Sequence, residues 1–326
     1  MSSESILDQE LLREIDLTRY QNGEIEKLID LLASANEKIK KELKKTQGVY
    51  TKQRYKELST FINNVSKELK DNVNTELDTT ELIENEINKQ TEILKTSGFE
   101  IVIPSEKTIK TSVQFIPFAD SSNYESFLDS LQAGLYNTWD NAIRTGYMLG
   151  STTDEIIRDV MGTVARNGKI AKTGMMSTLI NSIERNTRTY LQSMSSMTRD
   201  SLFKKNESLF SGYQYLATLD RRTCLVCANY DGKVFSKMED VPRTPIHYNC
   251  RCVVVPVVKD INIEDTRSSE NGYVDANMTF NDWLNTQSVD VQKEVLGKGR
   301  FEIFQKTHKI EQFVDNGQVL ALKDLK

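Results

Sequence analysis

The sequence predicts an α+β chain, mainly α, and three observations lead there. The first 103 residues contain no proline, and through Lys95 only two glycines, Gly23 and Gly48, interrupt them. Near Ser211 the apolar period shortens to two, with Tyr213, Tyr215 and Ala217 alternating, which is strand spacing. All four cysteines of the 326-residue chain, and one of its two histidines, lie between Cys224 and Cys252. The expected order is long N-terminal amphipathic helices, a central helical region, a small β module around the cysteines and a short helical C-terminal segment.

Residues 1–98 form the N-terminal helical region. Ile25, Leu28, Ile29 and Leu32, then Leu58, Phe61, Ile62, Val65 and Leu69, then Leu82, Ile83 and Ile87 recur at helical spacing among Lys, Glu, Asn and Gln. Gly23 and Gly48 are expected to break these helices. The apolar stripes are narrow; an ordinary helical bundle is the first reading, and docking of part of a stripe on a partner the second. Between positions 38 and 56, Lys38, Lys40, Lys41, Lys44, Lys45, Lys52, Arg54 and Lys56 face one acid, Glu42. Such a face suits weak, sequence-blind contact with DNA phosphates, or plain solvation, because no base-reading motif accompanies it.

Residues 99–125 read as an extended linker. Ile101, Val102, Ile103, Val113, Phe115 and Ile116 are β-branched or aromatic, and Pro104 and Pro117 punctuate them. A helix should follow, with Phe127, Leu128, Leu131, Leu135, Trp139, Ala142 and Ile143 on one face and a break across Gly146–Gly150. Thr152 and Glu155 make a capping-box pattern before Ile156, Ile157, Val160 and Met161. Another helical stretch is expected from about Gly174 to Phe210. Beyond the cysteines, Cys252–Val258 is a β-branched run around Pro256, suited to an edge strand. Asp260–Tyr273 reads as loop. Thr279 and Asp282 can cap a short helix with Trp283 and Leu284; Val291, Val295 and Leu296 continue as another, closed by Gly297.

Composition narrows the function. The chain is 38% hydrophobic and 27% charged, with 42 basic against 47 acidic residues, so a globally basic nucleic-acid coat is excluded. No run of about 18 apolar residues could cross a bilayer, and Met1–Glu10 has no signal-peptide pattern. A reducing compartment is therefore expected. Two histidines leave little for an enzyme that needs several, so no catalytic activity is expected. Asp220 suits a turn, accepting bonds from the residues after it, and His308 suits the surface.

The cysteine cluster reads C-x-x-C at Cys224 and Cys227, then H-x-x-C-x-C at His247, Cys250 and Cys252. Two such pairs brought together by a hairpin make a tetrahedral zinc cage, and Asp231-Gly232 is a turn signal between the halves. Five candidate ligands compete for four places. Cys224, Cys227 and Cys250 come first, and the fourth is His247 or Cys252, since side chains two apart on an extended chain share a face. Arg221, Arg222 and Arg251 could offset the site's negative charge. A redox pair would need a thioredoxin-like context, and disulfides an oxidising one. The module expected is thus a structural zinc knuckle over residues 211–258.

These residues also carry a resemblance. Leu219, Asp220, Arg222, Thr223, Cys224, Cys227, Asp231, Gly232 and Phe235, followed by Pro245, His247, Asn249, Cys250, Arg251 and Cys252, resemble the phage head morphogenesis family, the minor head proteins similar to protein F of phage Mu. Phe280, Trp283, Leu284, Gln292, Leu296, Gly297, Arg300 and Phe304, with Leu322 and Leu325 in the tail, look like that family's closing segment. The resemblance covers about Ala133 to Lys326, and implies a domain over 126–326 that contains the zinc module and a C-terminal segment, 275–326. It implies a non-enzymatic minor capsid protein of the virion head, made in the host cytoplasm. Such a protein associates with the portal protein and other capsid proteins at the portal vertex, in head morphogenesis and in genome packaging or ejection. The competing expectation is a zinc-ribbon nucleic-acid-binding protein.

Overall fold

A computed structural model describes residues 6–45, 51–77, 79–96, 98, 100–105, 108–109, 123–162, 174–258 and 266–325. The expectations for Gly48, Val113, Phe115, Ile116 and Pro117 lie outside these residues. The chain forms two compact units, one of residues 19–80 and 120–191, the other of residues 1–18, 81–119 and 192–326. This division differs from the sequence segments 1–98, 99–125 and 126–326, because packing joins stretches distant in sequence.

The helical unit is built from α1 (Ile6–Lys44) beyond Thr18, α2 (Lys52–Glu76), α4 (Tyr124–Leu149), α5 (Thr153–Met161) and the first half of α6 (Met176–Lys205). The helical stripes read from sequence are its core: Leu28 and Leu32 of α1 are fully buried, as are Leu58 and Ile62 of α2 and Leu135, Trp139 and Ile143 of α4, and the equally buried Ile39, Leu43 and Val73 extend them. Burying each such side chain contributes about 1.5–3 kcal/mol. The stripes are therefore covered by this chain, the bundle reading of the two expected. Polar bonds fix the register of the helices. Trp139 Nε1 donates to Asn36 Oδ1 at 2.7 Å, Tyr55 OH to Asp140 at 2.7 Å, and the Tyr124 and Tyr190 rings stack with centroids 4.3 Å apart.

Several expectations are corrected here. Gly23 does not break α1, which runs through it; buried Gln21, Glu24 and Ile25 beside it hold the helix against a glycine cost of about 1 kcal/mol. Gly146 lies within α4, where a Cβ would meet Ile156 of α5 at 2.4 Å; the helix ends only at Gly150, left-handed at φ 75. The basic run is not a free face. Lys38 reaches Glu68, Lys40 Glu37, Lys44 Asp154 and Lys45 Glu42, while Arg54 bridges Glu42 and Glu57. The expected capping box is present, with Thr152 and Glu155 bonding each other's backbone.

The mixed unit holds the first turns of α1, α3 (Thr80–Thr96), the second half of α6 and everything after it. At its helical end the core is charged. Arg13 bonds Glu10 at 2.9 Å, Glu86 at 2.9 and 3.1 Å and Ser195 at 3.0 Å, and also pairs with Glu14; Arg199 approaches Glu86 at 3.5 Å. On the same turns Leu12 and Ile15 face solvent, 48% and 41% exposed, so this part of α1 turns its charges inward. Breaking one partner of such a buried set costs about 3–5 kcal/mol.

A three-stranded antiparallel sheet follows, in the order β2 (Val234–Phe235), β1 (Phe210–Leu216), β3 (Val253–Val258). Tyr213 lies opposite Phe235 on one side and Pro256 on the other. Pro256 thus sits on an edge strand, as expected, where its missing N–H breaks no ladder. Gly212 admits the neighbouring strand, since a Cβ there would lie 2.8 Å from the Phe235 carbonyl oxygen. The helix α7 (Leu225–Tyr230) stands between β1 and β2. Part of the expected loop 260–273 is instead a hairpin, β4 (Thr266–Ser269) with β5 (Gly272–Asp275). Then come α8 (Phe280–Thr286), α9 (Val289–Thr307), kinked at Gly297 with φ 69, and a last two-residue hairpin of β6 (Val314–Asp315) and β7 (Gln318–Val319). Gly297 ends a helix as expected, and the next turn starts at once. Phe280, Trp283, Leu284, Leu296, Phe301, Phe304 and Phe313 form one core with Leu219, Leu225 and Ala228, so the C-terminal segment packs on the back of the cysteine motif.

Candidate metal centre

The cluster is built from two chain turns. In the first, Thr223 Oγ1 donates to the Thr218 carbonyl at 2.6 Å, and Asp220 Oδ1 accepts from Arg222 N at 3.0 Å. This turn delivers Cys224 as the N-cap of α7, where its Sγ accepts from Cys227 N at 3.4 Å. A helix start favours a thiolate there. In the second turn, Cys250 N donates to the His247 carbonyl at 3.1 Å, and Asn249 takes the left-handed conformation, φ 58, that Asn tolerates. Cys250 and Cys252 then face one buried core with Tyr213, Tyr215 and Val254, as their two-residue spacing requires. Arg251 between them turns the other way and grips Asp220 at 2.5 and 2.9 Å.

The donors converge. Cys227 Sγ lies 3.2 Å from His247 Nε2 and 3.8 Å from Cys250 Sγ. Two triads result, Cys224–Cys227–His247 and Cys227–Cys250–Cys252, each with ligand atoms within 4.8 Å of one another. The sulfur–sulfur edge of a tetrahedron with metal–sulfur bonds of about 2.3 Å is about 3.8 Å, which the Cys227–Cys250 pair matches. His247 Nδ1 donates to the Tyr248 carbonyl at 2.8 Å. A carbonyl only accepts, so Nδ1 carries a proton, and Nε2 is the nitrogen that would offer a lone pair to a cation on losing its own proton, the arrangement of a metal-ligating histidine. All five sequence candidates are therefore brought together, and the set could hold a soft divalent cation.

Crowding sets the protonation. A hydrogen bond with Cys227, opposed by burial and helped by His247, draws the Cys224 thiol down to about 4. Cys250 is likewise held well below the ordinary thiol range, first by Cys227 and then by Cys252. Cys227 goes the other way, raised by its bonds to Cys224 and Cys250. Its bond with Cys227 pulls Cys252 down, but Cys250 and full burial outweigh this and leave it raised. His247 is pushed up to about 11 by Cys224 and Cys250. The anionic sulfurs gathered in this buried corner are what a divalent cation would neutralise, displacing the Nε2 proton of His247 as it bound.

Three features were not foreseen from sequence. Tyr215, fully buried, directs its hydroxyl at Cys227 Sγ, 3.5 Å away; its alternation marked the strand but not this bond. Asp231, read as half of a turn and as a residue of the shared motif, is a buried junction. Its carboxylate accepts from Ala217 N and Phe280 N, both at 2.7 Å, and from Arg267 at 3.0 Å, while Arg267 also donates to the Ala217 and Met278 carbonyls. Burial nevertheless raises the Asp231 carboxyl against the pull of Arg267. Arg267 itself lay in the expected loop, with nothing nearby to flag it. Of the three arginines expected to offset the metal site, Arg221 is engaged by Glu270 and Glu294 and Arg222 is exposed, while Arg251, held by Asp220, also feels the Cys252 and Cys250 sulfurs. Asp220 is the turn residue expected, and His308 is exposed at the end of α9, bonded to Asn285 at 3.0 Å.

The arrangement defines an α+β module organised around a cysteine–histidine cluster. Residues 137–255 match the family model described as phage Mu protein F like protein, which bears out the resemblance over that stretch. The match takes in α6, β1, all five candidate ligands and the start of β3, and stops short of the C-terminal segment. Neither the curated proteins nor the solved structures contain a match. The family points to a phage head-related structural protein with capsid-related partners in the virion. Among the described residues, no helix is long and apolar enough to cross a membrane.

Proposed function

We propose that this chain is a minor head protein that docks at the portal vertex and acts in head morphogenesis, with a structural zinc ion bracing its second half. The observation that carries the reading is the family match over 137–255 together with a cluster inside it, at Cys224, Cys227, His247, Cys250 and Cys252, whose spacing suits tetrahedral zinc. The zinc would tie α7 to the start of β3, and Asp231 and Arg267 would carry that rigidity to α8. A part in genome packaging or ejection, by a chain without catalysis of its own, completes the proposal.

Co-expression with the cognate portal protein followed by gel filtration tests the docking. Co-elution is expected. Separate elution, together with absence of the chain from purified heads by mass spectrometry, overturns it. Elemental analysis tests the metal, with one zinc per chain expected. Nuclease or nucleotide turnover by the pure protein would replace the structural role with an enzymatic one. The zinc-ribbon nucleic-acid reading loses support from the basic run, whose Lys38, Lys40, Lys44, Lys45 and Arg54 are already engaged by acids.

A further inference from the structure

Five donors surround a position that needs four, and both triads share Cys227. On one side His247 presents Nε2 to Cys227 Sγ at 3.2 Å, its ring fixed by the Tyr248 carbonyl at 2.8 Å. A histidine serving only as packing would not need its ring turned and locked that way. On the other side Cys252 is 3% exposed, inside the same core as Cys227 and Cys250. It lies within 4.8 Å of both sulfurs, as close as a ligand must be before a cation draws the set together.

Resting on the zinc reading above, we propose that His247 and Cys252 are alternative fourth ligands, exchanging around a fixed set of Cys224, Cys227 and Cys250. Each candidate closes one of the two triads, and a cation must draw Cys224 and Cys250 toward each other around the shared Cys227. His247 leads into the turn that ends at Cys250, and Cys252 follows on the strand side, so Cys250 is flanked by both candidates. Ligation by Cys252 puts one more negative charge on the site than ligation by His247. The Tyr215 hydroxyl, 3.5 Å from Cys227 Sγ, is placed to donate to the sulfur-rich form. The consequence is a site that keeps its ion when either spare ligand is lost.

Cobalt(II) alone, titrated into the full chain, is the probe, because its absorption reports both coordination geometry and the number of thiolates. His247→Ala and Cys252→Ser are each expected to bind one cobalt per chain in a tetrahedral site. Thiolate-to-cobalt absorption should be stronger in His247→Ala, with four sulfurs, than in Cys252→Ser, with three. The double variant should lose at least 10-fold to 100-fold in affinity, and so should Cys224→Ser. If either single variant loses cobalt as fully as Cys224→Ser does, there is no exchange, though the metal site stands. Retention by Cys224→Ser with the affinity of the single variants also overturns it, since the fixed set would then be wrong. A wild-type chain that binds no cobalt overturns the zinc reading itself.

Discussion

Asp200 and Asp231 show how single carboxyls in the mixed unit work against burial. Asp200 is raised from 3.8 to about 6, by burial first, with Arg199 and Arg243 pulling the other way. The folded state therefore keeps a proton that the unfolded chain has released between about pH 4 and 6. Stability falls as pH rises through that window, and the penalty is complete above it. The residue as a whole is only partly covered, so solvent screening trims the cost to about 1–2 kcal/mol. Asp200→Asn should gain that much at pH 7.5 and nothing near pH 3.5, read from urea unfolding at both values. Asp231 is different, since its two backbone bonds and Arg267 depend on it. Arg267→Ala strands the Asp231 carboxylate and should cost about 3–5 kcal/mol, read as a lowered urea midpoint with unchanged slope. At Tyr215, loss of the hydroxyl in Tyr215→Phe should weaken metal affinity by about 10-fold to 100-fold, measured by competition with a chelator. Unchanged affinity would mean that the bond to Cys227 orients nothing.

Among the elements, those with a strong period were legible and those held by distant partners were not. α4 was readable from Phe127 to Ile143 because its apolar face repeats every three to four residues, and α5 because Thr152 and Glu155 announce its start. The edge position of β3 followed from Pro256 alone. The β4–β5 hairpin was hidden, because Arg267 and its neighbours are polar and their burial comes from Asp231, a partner 36 residues away. Gly23 misled for the opposite reason, since tertiary packing overrode a weak local preference. The cluster was legible in full as a set of residues, but not in its geometry or in the bonds of Tyr215 and Arg251 around it. Removing the metal addresses the same level. A structural zinc supplies on the order of 10 kcal/mol in small modules, so chelation should melt β1 to β3 and α7. The helices of the other unit, with a core of their own, should stay folded. Hydrogen exchange before and after chelation separates the two, and loss of protection in α2 and α4 alongside the sheet would count against an independent helical core.

For the whole molecule, charge placement limits what the chain can bind without a specific surface. Of the basic run, Lys38, Lys41, Lys44, Lys45, Lys52 and Lys56 are all exposed, but Lys38, Lys44 and Lys45, like Lys40 and Arg54, each pair with an acid. Non-specific DNA affinity should thus be weak, with a log–log salt slope of no more than about −3. A slope near −8 would mean that the whole run reaches phosphate. This could not be anticipated from the run itself, because Glu68 and Asp154 reach it from other helices. Composition gave a net charge of −5, and only the fold shows which lysines that excess acid answers.

The inward-turned charges of α1 have a consequence in time. Arg13 is made well before its partners Glu86 and Ser195, which come 73 and 182 residues later. At about 5–20 residues per second, the last of them arrives roughly 10–40 s after Arg13 itself. Through that interval the first turns of α1 have no interior to enter, and their Leu12 and Ile15 side gives no reason to collapse early. These turns of α1 must therefore settle only after α6 is made. Nascent chains arrested before α6 should leave those turns open to protease, and chains released beyond it should close them.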